Sequence, residues 1–205
     1  TKSGATVIAK KVYGSITGDF AGLKLPKFYG ENMVFQRNEP IVISGIANAN
    51  DEVSVVLNNQ KAVTKTAENG EWQVVMPAMK AGGPYTFKIE SKLSENISFN
   101  KVYIGEVWLA SGQSNMDFKV HQMQSAKTVL KDSLNSNIFL VSMDPKVLTG
   151  NIFTKEELAL CNTNDYFKYS GWSNIDDAIF KNFSAVAYAY AYKLQKELKV
   201  PIGII

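Results

Sequence analysis

One cysteine and one histidine occur among the 205 residues. A lone Cys161 cannot close an internal disulfide, so a disulfide-stapled scaffold is excluded while the compartment stays open. With no histidine nearby in sequence, Cys161 also makes a poor nucleophile. Long apolar runs are missing: none approaches the ~18 residues that a spanning helix needs. Thr1 to Lys11 lacks the apolar core of a signal peptide, which leaves a cytoplasmic chain or a mature, processed one. Basic clusters are missing too. The net charge of +3 is spread through the chain, which argues against a nucleic-acid partner. What remains is 45% apolar and 20% charged, an ordinary globular composition with room for one large domain or two modest ones.

From Leu25 to about Phe99 the hydrophobic period is two. Val53, Val55 and Leu57 alternate with Glu52, Ser54 and Val56, as in a half-buried strand. Asn58-Asn59 reads as a turn, because asparagine tolerates positive φ. Asn69-Gly70 is a stronger turn signal, followed by Trp72, Val74 and Met76 on one face. Ala81-Gly82-Gly83-Pro84 reads as a further break before Tyr85, Phe87 and Ile89. Short strands at this spacing predict an antiparallel β-sandwich over residues 1–100, the N-terminal segment included.

Beyond about Lys101 the pattern changes. Residues 102–110 read as a buried strand, with Trp72 and Trp108 expected in strand cores. Met123, Ala126 and Leu130 have helical spacing, and 138–143 reads as another strand. A helix is predicted from about Ala185 to Lys199, capped by Ser184 and stopped by Pro201. Ile202 to Ile205 is the next strand. Strands alternating with helices predict a mostly parallel α/β sheet over 101–205. The tract 144–174 has no firm period and reads as mostly loop, of the kind that borders a binding site.

The chemistry concentrates in Gly105-Glu106-Val107-Trp108-Leu109-Ala110-Ser111-Gly112-Gln113-Ser114-Asn115-Met116. An apolar strand ends in a glycine turn, and Ser114 follows between two amides. A serine hydroxyl needs a base within ~3 Å and donors aimed at the developing oxyanion. Gly112 would let backbone approach a substrate, the Ser114 amide could donate to the oxyanion, and Gln113 and Asn115 offer side-chain amides for substrate binding. The run departs from the Gly-x-Ser-x-Gly elbow of α/β-hydrolases, since Asn115 and Met116 follow the serine. On chemistry alone a structural serine in a loop remains the alternative.

The wider run resembles the nucleophile block of the sialate O-acetylesterase family, within the SGNH-type serine hydrolases. Leu25-Pro26 and Asn32-Met33-Val34-Phe35-Gln36-Arg37 resemble that family's opening strand block. Asn69-Gly70-Glu71-Trp72 and the run from Pro77 to Tyr85 resemble its sandwich hairpin. Phe183-Ser184-Ala185 with Val200-Pro201-Ile202-Gly203 resembles the helix and strand that follow the nucleophile. The matches are in family order from about Leu25 to the end. The resemblance implies a jelly-roll-like β domain (1–100) followed by the N-terminal part of an SGNH hydrolase domain (101–205). It implies a metal-free, cofactor-free esterase of secreted or periplasmic location that removes acetyl groups from sialic acid or a related sugar. Ser114 is then the nucleophile, and its amide forms part of the oxyanion hole. The family's later glycine, asparagine and Asp-x-x-His block find no counterpart in this sequence. The expectation is therefore an incomplete hydrolase domain, with a second chain as the possible carrier of the rest.

His121 lies seven residues past Ser114 and would have to serve as base if the chain were self-sufficient; only Asp117 is close enough in sequence to orient it. A solvated histidine is the plainer reading. Tyr188, Tyr190 and Tyr192 point to different sides of a helix and read as core and interface packing. Trp172, after Gly171, is the better candidate for stacking on a sugar. Asn96-Ile97-Ser98 and Asn182-Phe183-Ser184 match glycosylation tripeptides, which are common by chance. The reading of a different class is a carbohydrate- or partner-binding module without catalysis.

Overall fold

The computed structural model describes residues 2–126, 137–146, 153–162, 167–175 and 178–205. The chain divides into two compact units, Thr1–Glu106 and Val107–Ile205. The first opens on a helix that the sequence pattern did not announce, α1 (Lys2–Thr17). Ile8, Val12, Tyr13 and Ile16 of this helix remain exposed.

Six strands and most of a seventh follow: β1 (Val34–Gln36), β2 (Ile41–Ile46), β3 (Glu52–Leu57), β4 (Gln60–Lys65), β5 (Glu71–Met76), β6 (Gly82–Ser91) and β7 (Ile97–Trp108). Side chains on a strand alternate between faces. In β5, Trp72, Val74 and Met76 are accordingly buried while Glu71, Gln73 and Val75 face outward. Leu57 pairs with Gln60 across a two-residue turn. Asn58 and Asn59 both take positive φ there, 48° and 63°, as in the type I′ hairpin that matches strand twist. Strands run in the order β7-β6-β3-β4, neighbours antiparallel, with β1 parallel on β7. β2 and β5 form a separate antiparallel pair. β4 ends its row, with Lys61, Val63 and Lys65 exposed.

Phe87 sits at the centre of the first unit's aromatic packing, edge-on to Phe35 at 5.6 Å and stacked on Phe99 at 6.3 Å. The expected break at 81–84 is instead the start of β6. The strand passes through the cis Gly83–Pro84 bond, and the register shifts between Gly82 and Tyr85.

The second unit holds β8 (Ile138–Leu140), β9 (Met143–Pro145), α2 (Lys155–Asn162), β10 (Phe167–Tyr169), β11 (Ser173–Asn174), α3 (Ala185–Leu198) and β12 (Ile202–Ile204). β12 is parallel to β8, whereas β11 is antiparallel to it. The Ile205 amide donates to the Trp108 carbonyl (2.9 Å) and the Ile205 carbonyl accepts from the Ala110 amide (2.6 Å). One residue bonding to two that flank its partner is the parallel pattern. The sheet is thus mixed, with parallel and antiparallel pairs.

Ile138, Leu140, Ile202 and Ile204 pack with Phe180, Tyr188 and Ala191 to form this unit's core. Ser184 caps α3 by accepting from the Ala187 amide at 3.4 Å. The helix ends at Lys199, left-handed at φ 54°, before Pro201 is reached. The strand expected over 138–143 is split, and the tract 144–174 holds short strands and a helix where mostly loop was expected. The helix expected around Met123 begins as a 3-10 turn, Val120–Gln122; Leu130 lies outside the described residues.

Candidate active site

Parallel strands in open α/β sheets leave a crevice beyond their carboxyl ends, where ligands bind. The second unit has such a crevice. Leu109 to Gln113 follow the end of β7, Val141 to Pro145 follow β8, and Ile205 follows β12; together they line a cleft of about 540 Å³. Phe167, Asn182 and Ser184 line it as well. Three segments remote in sequence meet there because their strands are neighbours.

The chain leaves β7 with Leu109 74% exposed and reaches a short 3-10 turn, Ser114–Asp117. The Met116 amide donates to the Gln113 carbonyl at 2.8 Å, which closes that turn. The two preceding amides, of Ser114 and Asn115, stand in the first turn and have no acceptor within it. Gln113, Ser114 and Asn115 are exposed, and of the three Gln113 alone is among the cleft's lining residues. Gly112 is needed for packing: a Cβ there would stand 2.5 Å from Met116 Cγ, and Met116 packs against the second unit's core.

The segment after the turn is held to the start of α3. The Val120 amide donates to the Phe183 carbonyl (3.0 Å), and the Ala185 amide to the Phe118 carbonyl (2.8 Å). Lys119 forms a bridge with Ser184 between them. The loop bearing Ser114 is therefore braced at one end by β12 and at the other by the capped end of a helix.

His121 is exposed, and its Nδ1 lies 2.9 Å from the Lys181 carbonyl. A carbonyl only accepts, so Nδ1 carries the proton and Nε2 is the basic nitrogen. Among the described residues no hydrogen bond joins His121 to Ser114. Asp117, the carboxylate close enough in sequence to orient the ring, pairs instead with Lys119 Nζ at 2.6 Å.

Trp172 is only 7% exposed, so its ring offers little face to a sugar, and it is not among the cleft's lining residues. Trp108, expected in a strand core, is instead 42% exposed and meets Tyr190 edge-on at 5.3 Å. The expectation failed because β7 ends at this residue. Tyr188 is buried against Phe180, and Lys196 lies over the Tyr192 ring at 4.4 Å. The Asp117–Lys119 pair and Asp144, which accepts from the Ser142 hydroxyl at 3.4 Å, were missed as cleft residues. The unpatterned tract beginning at Asp144 hinted at Asp144, and the sequence singles out Asp117 only as a partner for His121.

No family model matches this chain. Among solved structures its fold is similar to that of a carbohydrate acetylesterase from Xanthomonas citri, with a TM-score of 0.72 and 25% identity over 89% of this chain and 39% of that one. Among curated proteins it is 30% identical over 198 residues to the sialate O-acetylesterase of Homo sapiens. It is 31% identical over 203 residues to that of Rattus norvegicus. Both alignments cover 90% of this chain, but 36% and 35% of those proteins. The resemblance to the sialate O-acetylesterases thus extends over nearly all of the chain, which spans little more than a third of these relatives' length.

Proposed function

We propose that this chain carries the nucleophile of a carbohydrate O-acetylesterase acting on acetylated sialic acid or a related acetylated sugar. The observation that carries the reading is the position of Ser114: it heads a tight turn just past the carboxyl end of β7, in a chain similar throughout to esterases of this class.

Ser114 Oγ attacks the acetyl carbonyl carbon while its proton passes to a base. The negative charge on the acetyl oxygen is met by the Ser114 amide, with the Asn115 amide and the side chains of Gln113 and Asn115 positioning the sugar. Collapse breaks the ester bond, the sugar hydroxyl takes the proton, and an acetyl-Ser114 intermediate remains. Water, deprotonated by the same base, then releases acetate and restores the hydroxyl. His121 is tied to the Lys181 carbonyl rather than to Ser114. We assign the base to a histidine outside this sequence, on the same or a second polypeptide.

In this reading residues 1–100 hold a jelly-roll-like β-sandwich and residues 101–205 the start of an SGNH-type hydrolase domain. The alternating burial along β5 and the strand-end position of Ser114 support it. A secreted or periplasmic location is part of the same proposal, and fractionation of the native host tests it.

Treating the full-length protein with a fluorophosphonate and mapping the adduct tests the nucleophile. Labelling is expected at Ser114 and lost in Ser114→Ala along with acetate release; an adduct elsewhere sinks the assignment. Intact-mass analysis of the same material shows whether the histidine resides on a second polypeptide. One observation favours a binding module instead: Ser114 and His121 share no hydrogen bond among the described residues. Retention of acetylated sugar with no acetate release from the full-length protein would establish that alternative.

A further inference from the structure

Among the described residues, the charged side chains lining the cleft are Asp117, Lys119 and Asp144, and the scheme above uses none of them. Asp117 closes the 3-10 turn that Ser114 opens. With three residues per turn, positions i and i+3 eclipse, so Asp117 projects from the same side of the turn as Ser114, about 6 Å further along its axis. A carboxylate there opposes the negative charge that builds on the acetyl oxygen when Ser114 attacks.

Lys119 Nζ stands 2.6 Å from Asp117 Oδ1. The lysine is the anchored partner, its side chain 31% exposed against 79% for the aspartate. Its amide donates to Gln122 Oε1 at 2.7 Å, and its backbone bridges to Ser184. An ion pair so near water adds little to folding stability, but its carboxylate belongs to the turn that Ser114 opens. We propose that Lys119 is a positioning residue for charge: by neutralising Asp117 it keeps a carboxylate field away from the anionic intermediate formed at Ser114. Without it the cleft presents two carboxylates and no cation among its described lining residues. The inference rests on Ser114 as nucleophile.

The test compares Lys119→Met, Lys119→Arg and the double variant Asp117→Asn/Lys119→Met in the full-length protein, by steady-state acetate release. Lys119→Met is expected to lower kcat roughly five- to tenfold, more at low salt, with KM within about twofold. Lys119→Arg keeps the wild-type kcat, and the double variant returns to within about twofold of it. A misfolded variant would not be rescued by removing a second charge, so recovery also certifies the fold. Three results overturn the proposal: an unchanged rate in Lys119→Met, an equal loss in Lys119→Arg, or a loss that Asp117→Asn does not reverse. Fluorophosphonate labelling separates the two levels. Wild-type protein unlabelled at Ser114 sinks the esterase reading and this inference with it, whereas normal labelling with an unchanged Lys119→Met rate sinks this inference alone.

Discussion

Gly112 sits two residues before the proposed nucleophile, and its missing side chain makes room for Met116. Gly112→Ala forces Met116 out of its seat in the core and shifts the turn between them. Displacements near 1 Å cost reacting groups as much as ~100-fold, so labelling of Ser114 should slow by at least about tenfold. Circular dichroism should show the secondary structure unchanged; labelling at the wild-type rate would mean the turn tolerates the shift. A second residue reports on pH. Burial raises the Tyr29 phenol above its usual value of about 10, and the bond from the Ser44 amide offsets this only in part. The folded state thus holds the proton more tightly than the unfolded one. The stability gained is whole below pH ~10 and is lost as pH rises through the folded pKa. Tyr29→Phe should flatten the alkaline limb of a stability–pH curve, and an unaltered limb would count against the assignment. Single residues were unevenly legible in the sequence. Trp72 could be placed because its neighbours alternate, but Trp108 at a strand end and Trp172 in an unpatterned tract gave no such cue.

Helix α3 was legible because its ends are marked in the sequence. Ser184 bonds to the Ala187 amide at 3.4 Å, and loss of such a cap costs ~0.5–1 kcal/mol at this length. Ser184→Ala should lower the unfolding free energy in urea by that amount, and no change would mean the long bond contributes nothing. At the other end Lys199 holds φ 54°, a region glycine enters without steric penalty. Lys199→Gly should therefore stabilise by about 0.5–1 kcal/mol, read from the same urea curves; destabilisation would refute it. Elements without such marks escaped notice. β9, β10 and β11 are two or three residues long, too short to display a period. Helix α1 lacks acidic residues in its first turn and basic ones in its last, so the usual dipole signals are absent.

Across the whole molecule, two cores carry the stability. Ile43 belongs to the first unit and Ile202 to the second, and both are fully buried. Each changed to alanine should cost about 2–5 kcal/mol. Because they share no core, the double variant should add within about 0.5 kcal/mol; a larger coupling energy in chemical denaturation would show that the units fold as one. At this scale the change of period from two to helical near residue 101 was readable in the sequence. The meeting of Gln113, Asp144 and Ser184 around one cleft was not, because strand order brings them together and local pattern does not encode it.

The exposed end strand β4 bears on how the protein behaves when concentrated. A free strand edge is a template for another chain to pair with, and lysines along it discourage that. Lys61 and Lys65 flank exposed Val63 on β4, a charged fence around one sticky plank. Lys61→Gln together with Lys65→Gln removes both charges and takes the fence down within the first unit. Storage life and filterability would then fall while each dissolved molecule kept its fold.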